Sequence, residues 1–255
     1  MFLFLIWIQE IEGEIKLIPK IIHYCWFGKG ELPPLAKKCI SSWKKYMPEY
    51  EIKEWNEDNF DVNMIQYTRD AYNNKKYAFV SDFARFYILE KYGGIYMDVD
   101  VELIKPLDDL LDNKTILGFE RKGKVNPGLI CASEPNTLFL NEMINTYNNL
   151  NFLNSNGSLN LTTIVDYTTT YLNSNGLENK NEKQIVCDVV IYPIDYFCPI
   201  DMSTNELIIT ENTYSIHHFA SSWLSPWGKF KKMVRKLIGI ELYDKLYNFK
   251  KIIKN

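Results

Sequence analysis

Two aspartates separated by one residue are the part of the sequence best suited to chemistry. Residues 95–102 read IYMDVDVE, and alternate side chains of an extended strand share a face. Asp98, Asp100 and Glu102 would then lie together, where carboxylates repel one another unless a cation or open water is present. The pair Asp98 and Asp100 can share a hard divalent ion such as Mn²⁺ or Mg²⁺, which also binds a diphosphate.

Other interpretations of this acidic stretch fit less well. An edge strand with a solvated acidic face is one alternative, but the preceding Gly-Gly pair, Tyr96 and Val99 argue against an edge. An EF-hand calcium loop is excluded because Leu103 occupies the position that requires glycine. Aspartate-based phosphatase chemistry would want a threonine where Glu102 stands.

A second pair of charged residues precedes the aspartates. Asp82 and Arg85 are three residues apart on a helix predicted over residues 77–92, so they share a helical face. A local ion pair is one interpretation. The functional interpretation places them at the edge of a sheet where α/β proteins bind ligands. There the aspartate can accept hydrogen bonds from sugar hydroxyls, and the arginine can donate to hydroxyls or phosphate oxygens.

The elements that would position these residues alternate along the chain. Apolar spacing and turn residues predict strands over 18–26, 50–55, 95–103, 115–119, 129–132, 186–192 and 214–219. Helices are predicted over 35–46, 77–92, 137–149 and 159–172. This alternation predicts an α/β layered domain.

Composition narrows the class of protein. The chain has 255 residues, of which 46% are hydrophobic, so an intrinsically disordered protein is excluded. No apolar run reaches the roughly 18 residues that a membrane-spanning helix needs. The apolar opening, residues 1–8, is too short for such a helix and does not resemble a signal peptide. Five cysteines without a C-x-x-C pair disfavour a disulfide framework or structural zinc site and favour a reducing cytoplasm.

Charge divides the chain in two. Residues 229–255 carry nine Lys or Arg against two acidic residues, which leaves the first 228 residues acidic. We therefore predict a catalytic domain over 1–228 and a basic, amphipathic helical segment over 229–255. That segment suits peripheral contact with an anionic membrane, or packing on the core with a solvated lysine face. A nucleic-acid partner is not expected, because its basic footprint would lie on the folded domain.

Several spaced blocks together resemble glycosyltransferase family 32. They are IPKIIHYCWFG at 18–28, SDFAR at 81–85, YGGIYMDVD at 92–100 and HHFASSW at 217–223. The family includes yeast-type initiating mannosyltransferases and bacterial capsular polysaccharide enzymes, and the clostridial glucosylating toxin catalytic domains are more distant relatives. The resemblance spans residues 18–223, and it departs from the family pattern between 157 and 163.

The resemblance implies a GT-A fold: a Rossmann-like nucleotide-binding half with a mixed central sheet, here followed by C-terminal amphipathic helices. It implies a metal-dependent, retaining transfer of a hexose from a nucleotide-diphosphate sugar to a glycan hydroxyl. A UDP-sugar is favoured and GDP-mannose is possible. The implied setting is bacterial surface polysaccharide synthesis.

The resemblance also implies roles for individual residues. Asp98 and Asp100 would hold Mn²⁺ or Mg²⁺ with His217, and Asp82 and Arg85 would join the two aspartates as catalytic residues. The predicted donor-binding residues are Trp26, Asp82, Arg85, Tyr96, Asp98, Asn126, Ser222 and Trp223.

Simpler structural roles remain open for several of these residues. Trp26 could be core packing, Asn126 part of a turn, and the two adjacent histidines buried structural residues. Adjacent strand residues face opposite ways, so at most one of the two histidines is expected to be a ligand, and His217 is favoured. His23, on an apolar strand, is interpreted as a core histidine.

The expected partners are a nucleotide-sugar donor and a lipid-linked or oligosaccharide acceptor. The expected location is the cytoplasm, at the inner face of the cell membrane. Two alternatives stay open: a non-catalytic module that binds a nucleotide sugar or glycan, and a nucleotide-sugar hydrolase.

Overall fold

The computed structural model describes residues 18–201, 204 and 206–220. The strands of this part of the chain are β1 (Ile21–Cys25), β2 (Glu51–Trp55), β3 (Gly94–Tyr96), β4 (Val101–Leu103), β5 (Thr115–Arg121), β6 (Lys124–Val125), β7 (Cys131–Ser133), β8 (Gln184–Val186), β9 (Val189–Tyr192) and β10 (Ser215–His217). Its α-helices are α1 (Pro34–Tyr46), α2 (Gln66–Asn73), α3 (Tyr77–Tyr92), α4 (Leu138–Asn148), α5 (Ile164–Ser174) and α6 (Ile194–Phe197). None of these helices is long and apolar enough to cross a membrane.

The main sheet is mixed. Seven strands follow the order β2-β1-β3-β7-β5-β9-β8, and β6 pairs with β5. The pairs β1/β2, β1/β3 and β5/β9 are parallel, whereas β7 and β8 run antiparallel to their neighbours. Strands β4 and β10 form a separate antiparallel pair. The α/β layered architecture and the mixed central sheet expected from the sequence are confirmed.

Two apolar clusters hold the helices to the sheet. One contains buried aromatic residues of α3 and α4, among them Phe83, Phe86 and Tyr147. The other contains Trp43 of α1 together with alternate residues of β1 and β3, such as Ile95. Side chains that alternate across the central strands therefore contribute to both clusters.

The turn that leads from α3 into β3 requires glycine. Gly93 and Gly94 have φ of 62° and 101°, values that side-chain-bearing residues rarely adopt. A Cβ atom on Gly94 would lie 2.6 Å from the carbonyl oxygen of Ile21. The close approach lets β3 pair directly with β1 and carries the chain to Asp98.

His23 is a satisfied core histidine, as predicted. Its side chain is fully buried, Nε2 lies 2.9 Å from the carbonyl oxygen of Gly93, and Nδ1 accepts from the Trp55 indole nitrogen at 3.1 Å. Burial lowers the pKa of His23 to about 4. The neutral ring therefore bridges β1, β2 and the turn before β3.

The prediction of one continuous strand over 95–103 is wrong. The strand β3 ends at Tyr96, a turn follows in which the Val101 amide donates to the Asp98 carbonyl at 3.0 Å, and β4 pairs with β10 instead of extending the main sheet. Asp98 and Asp100 consequently lie in a turn. Glu102 is separated from them on β4, where it bonds to Lys38 and His218.

Two further differences concern helices. Helix α2 is absent from the sequence predictions, because its eight residues are mostly polar and present only Tyr67, Thr68 and Ala71 to the core. Helix α5 begins at Ile164, after the predicted start at residue 159, since Thr163 supplies the N-terminal cap by accepting from the Asp166 amide.

Candidate active site

Helix α3 brings Asp82 and Arg85 to the turn that carries the first aspartate. Both side chains are buried, and Arg85 Nη2 lies 3.0 Å from Asp82 Oδ1 and 3.3 Å from Asp98 Oδ1. Arg85 Nε also donates to the Ser81 carbonyl at 3.2 Å. The ion pair expected within the helix is therefore present, and the same guanidinium extends it to Asp98.

Asp98 is also held by Tyr96, the last residue of β3. The Tyr96 hydroxyl donates to Asp98 Oδ1 at 3.1 Å, and the Arg85 guanidinium lies 4.5 Å from the centre of the Tyr96 ring. A third of the Asp98 side chain remains exposed. One carboxylate oxygen is thus bound by protein donors, while the group stays accessible to a ligand.

The loop before β7 supports Asp98 from the other side. The Asp98 amide donates to the Gly128 carbonyl at 2.9 Å, and the Gly128 amide donates to Asn126 Oδ1 at 2.7 Å. A Cβ atom on Gly128 would lie 2.2 Å from Asp98 Oδ2, so only glycine lets the carboxylate lie there. Asn126 is buried and donates to Glu120 Oε2 at 2.6 Å. The turn interpretation of Asn126 is therefore correct, and the turn it forms positions Asp98.

Asp100 is held by the distant end of the described chain. Its Oδ2 accepts from the Ala220 amide at 2.7 Å, and its Oδ1 lies 3.4 Å from His217 Nε2. The backbone carbonyl of Asp100 accepts from the His218 amide at 3.0 Å. The two aspartates of one short motif therefore depend on different parts of the chain.

The carboxylates ionise differently. Burial raises the pKa of Asp82 to about 7, against the lowering effect of Arg85. Burial also raises the pKa of Asp98, Arg85 opposes that shift, and the nearby Asp100 adds to it. For Asp100, the hydrogen bonds from His217 and Ala220 outweigh burial and hold the pKa below its usual value. Asp100 is therefore the most firmly anionic of the three.

The histidine pair splits as adjacent strand residues should. His217 is buried, and its contacts with Asp100 and Cys198 raise its pKa to about 10, against the effect of burial. Its Nδ1 is buried without a hydrogen-bond partner among the described residues. His218 faces the other way and bonds to Glu102 at 2.8 Å. The structure thus brings the side chain of His217, not that of His218, to the turn that contains Asp98, Val99 and Asp100, here called the DXD turn.

The donor set of the turn fits a hard divalent cation in part. Asp98 and Asp100 supply carboxylate oxygens, the ligands that Mg²⁺ and Mn²⁺ prefer. In the described part of the chain, no three or more His, Cys, Asp or Glu side chains are arranged as a complete metal site. An ion held by these two carboxylates would take its other ligands from a diphosphate and water, as Mg²⁺ usually does. His217 as a third ligand stays a prediction.

The remaining predicted donor residues are placed unevenly. Tyr96 and Asn126 both contact or support Asp98, as described above. Trp26 is half-buried directly after β1, and its indole nitrogen donates to the Gly30 carbonyl at 2.6 Å. It is not among the residues described above as contacting Asp98 or Asp100. Ser222 and Trp223, like the segment 229–255, lie outside the described residues.

Two residues of the site were missed by the sequence analysis. Gly128 packs against Asp98, and Glu120 bonds to Asn126. Gly128 had a usable signal, because Asn-Pro-Gly is a turn sequence and a glycine there permits close approach. Glu120 lies in the main sheet at the end of β5 and carries no motif.

Comparisons with known proteins agree with the motif. Residues 33–117 match the family model described as the glycosyltransferase sugar-binding region containing DXD motif. Inositol phosphoceramide mannosyltransferase 3 of Schizosaccharomyces pombe is 34% identical over 112 residues, which are 39% of this chain and 29% of that protein. Inositol phosphoceramide mannosyltransferase 1 of the same yeast is 29% identical over 116 residues, 41% of this chain and 35% of that protein. This chain thus covers about a third of the length of these relatives.

Solved structures give a weaker likeness. A glycosyltransferase involved in glycosylation of the major capsid of PBCV-1 has a TM-score of 0.48 and 13% identity, covering 80% of this chain and 95% of that one. The PaToxG glycosyltransferase has a TM-score of 0.39 and 20% identity, covering 54% of this chain and 66% of that one. The resemblance that the sequence motifs predict is confirmed by the family match: residues 33–117 are similar to the glycosyltransferase sugar-binding region, and they include the D-x-D sequence of Asp98 and Asp100.

Proposed function

We propose that this chain is a glycosyltransferase that moves a hexose from a nucleotide-diphosphate sugar to an acceptor hydroxyl. The observation that carries the proposal is the contact chain from Asp82 through Arg85 to Asp98. In this group of contacts, the Asp82 carboxylate would accept from a sugar hydroxyl, the Arg85 guanidinium would donate to a hydroxyl or phosphate oxygen, and the Asp98 carboxylate would bind the metal. A purely structural ion pair would not need the partly exposed Asp98 as a second anion.

Arg85 is the centre of the proposed donor site. Its Nη1 is buried without a hydrogen-bond partner in the described part of the chain, so one donor of the guanidinium is unsatisfied. An unpaired buried donor costs free energy, roughly 1–3 kcal/mol, and more for a charged group. A donor sugar hydroxyl or phosphate oxygen would satisfy it. Asp82, beside it, would accept from a neighbouring hydroxyl of the same sugar.

Asp98 and Asp100 would hold the divalent ion, which when bound neutralises negative charge that develops on the leaving diphosphate. The protein contributes to this by keeping Asp100 ionised through His217 and the Ala220 amide. It keeps Asp98 in place through Tyr96, Arg85 and the Gly128 carbonyl. The two carboxylates are therefore oriented before any ligand arrives.

The donor and acceptor are narrower proposals. The motifs favour a UDP-sugar, and the names of the two yeast relatives add weight to GDP-mannose as the alternative. Retention at the anomeric carbon follows from the family resemblance. We also propose a lipid-linked or oligosaccharide acceptor in bacterial polysaccharide synthesis. The two yeast relatives are named for a lipid acceptor, and they give no support to the bacterial setting.

The donor proposal is tested by thermal shift with Mn²⁺ across UDP-, GDP- and dTDP-sugars. A ligand present at about 100 times its Kd stabilises the fold by roughly 2.7 kcal/mol, so the correct base should stand out. Transfer to an added acceptor then separates a transferase from a hydrolase or a non-catalytic binding module. Stabilisation by none of the sugars, with or without Mn²⁺, would contradict the proposed function.

Residues 229–255 carry a second part of the proposal, membrane contact at the cytoplasmic face. Their basic composition is the support, since each Lys or Arg near an anionic bilayer is worth about 1 kcal/mol. The full chain should pellet with anionic liposomes at low salt and be released as salt rises. A chain truncated after residue 228 should remain in solution, and a full chain that never pellets would remove this part of the proposal.

A further inference from the structure

The described part of the chain contains an open cleft of about 450 Å³ that none of the predicted site residues lines. Its walls come from the end of β5 and from the segment around and after α6. The volume lies within the range of roughly 300–1,000 Å³ that small-molecule sites usually have. The cleft is therefore large enough to hold a small-molecule ligand.

Two residues of the cleft wall connect it to the two aspartates. Glu120 accepts the hydrogen bond from Asn126, whose side chain in turn holds the Gly128 turn beneath Asp98. On the other side, Cys198 interacts with His217, the side-chain partner of Asp100. Glu120 is thus linked to Asp98 through Asn126 and Gly128, and Cys198 is linked to Asp100 through His217.

The chemistry of the lining differs from that of the donor site. The lining contains one cation, Arg121, and three carboxylates, those of Glu120, Asp195 and Asp201, so its formal charge is −2. A nucleoside diphosphate would be repelled there. Carboxylates accept hydrogen bonds from hydroxyl groups, and aliphatic residues of the lining such as Ile208 can cover the C–H face of a ring.

We propose that this cleft is the acceptor site and that it binds a neutral, polyhydroxylated ring, a sugar or a cyclitol. The inference rests on the proposed function. The ring presents one hydroxyl to the donor held at Asp82, Arg85 and the DXD turn. The hydroxyl oxygen forms the bond to the anomeric carbon, and the bond from that carbon to the diphosphate oxygen breaks. The diphosphate leaves with the electron pair and takes up the hydroxyl proton.

Neighbouring isoleucines provide a matched pair of variants for the test. Ile208 and Ile209 have nearly equal exposure, 53% and 54%, but only Ile208 lines the cleft. Ile208→Trp should narrow the cleft, whereas Ile209→Trp adds the same bulk beside it. The probes are methyl α-mannoside, methyl β-galactoside and myo-inositol, measured by saturation-transfer NMR on the full chain.

The wild type should bind at least one probe, and Ile208→Trp should weaken that binding about tenfold or more. Ile209→Trp should match the wild type, and the affinity of all three proteins for nucleotide sugar with Mn²⁺ should be equal. The variant Asp195→Asn, in which the amide oxygen can still accept the bonds from Thr210 and Asn212, should also weaken the probe. The exposed Asp112→Asn is its control.

A wild type that binds none of the probes, or equal binding by the Ile208→Trp and Ile209→Trp variants, would overturn the acceptor assignment. Probe binding is read without turnover, so this result is independent of the donor experiment. A chain that binds no nucleotide sugar but binds a probe in the cleft would contradict the proposed function and leave the cleft assignment standing.

Discussion

The two aspartates of the DXD turn are two residues apart, yet their surroundings are built differently. Asp98 is held by Arg85, Tyr96 and the Gly128 turn, all within about thirty residues of it along the chain. Asp100 is held by His217 and the Ala220 amide, more than a hundred residues away. The half around Asp98 therefore depends on neighbouring parts of the chain, and the half around Asp100 depends on the pairing of β10 with β4.

The largest expected effect concerns the half around Asp98. Replacing Arg85 by methionine leaves the buried Asp82 and the partly exposed Asp98 without their shared cation. Loss of one partner of a buried ion pair typically costs about 3–5 kcal/mol, so the free energy of unfolding should fall by that amount. Urea denaturation measures it, with the exposed Arg69→Met as a matched control. Equal stability of the two variants would show that the contact chain does not hold this half together.

The half around Asp100 should respond in activity more than in stability. Asp100→Asn retains an oxygen that can accept from the Ala220 amide but loses the charge that pairs with His217 and a cation. Transfer should fall by roughly 10²–10³-fold, the usual cost of one transition-state electrostatic contact. The free energy of unfolding should fall by less than in Arg85→Met, because His217, unlike Arg85, can release its proton when the carboxylate charge is lost. Turnover close to wild type would contradict the metal role of Asp100.

Acid should weaken the fold around β1 and β3 through His23. Its pKa is about 4 in the folded chain against about 6.5 in the unfolded chain. Between these values the unfolded chain binds a proton that the folded chain does not, so stability is fully present above about pH 6.5 and is lost as pH falls toward 4. The loss can reach about 3 kcal/mol.

The variant His23→Gln cannot take up this proton and should show a smaller decline. Unfolding free energies measured from pH 7 to 4 for both proteins give the comparison. Parallel pH profiles for wild type and His23→Gln would show that another group controls acid sensitivity.

The smallest expected effect tests the support beneath Asp98. In Gly128→Ala the new Cβ would meet Asp98 Oδ2 at 2.2 Å, so the carboxylate must move. We expect about a tenfold loss in kcat/KM, equivalent to roughly 1.4 kcal/mol, with the fold retained. Gly30→Ala is the control, because nothing lies within 4 Å of its Cβ position. Equal activity of the two variants would show that the position of Asp98 set by Gly128 does not matter for transfer.

The same contrast explains what could be predicted from the sequence. Asp82 and Arg85 share a helical face, so local periodicity grouped these two, whereas the family resemblance was needed to group them with Tyr96 and Asp98. The break between β3 and β4 was not predictable in this way, since it depends on pairing with β10 more than a hundred residues later. The cleft was missed for the same reason: Glu120, Asp195 and Cys198 carry no motif and meet only through the sheet order.

The central claim is that Asp82 and Arg85 bind the sugar while Asp98 and Asp100 serve the metal and the diphosphate. Calorimetric titration of wild type and Asp82→Asn with GDP-mannose, UDP-glucose and the matching nucleoside diphosphates, all with Mn²⁺, tests it directly. The account predicts that Asp82→Asn loses about tenfold or more in affinity for the preferred nucleotide sugar and keeps its affinity for the nucleoside diphosphate. Equal losses for both ligands, or no loss for either, would contradict it.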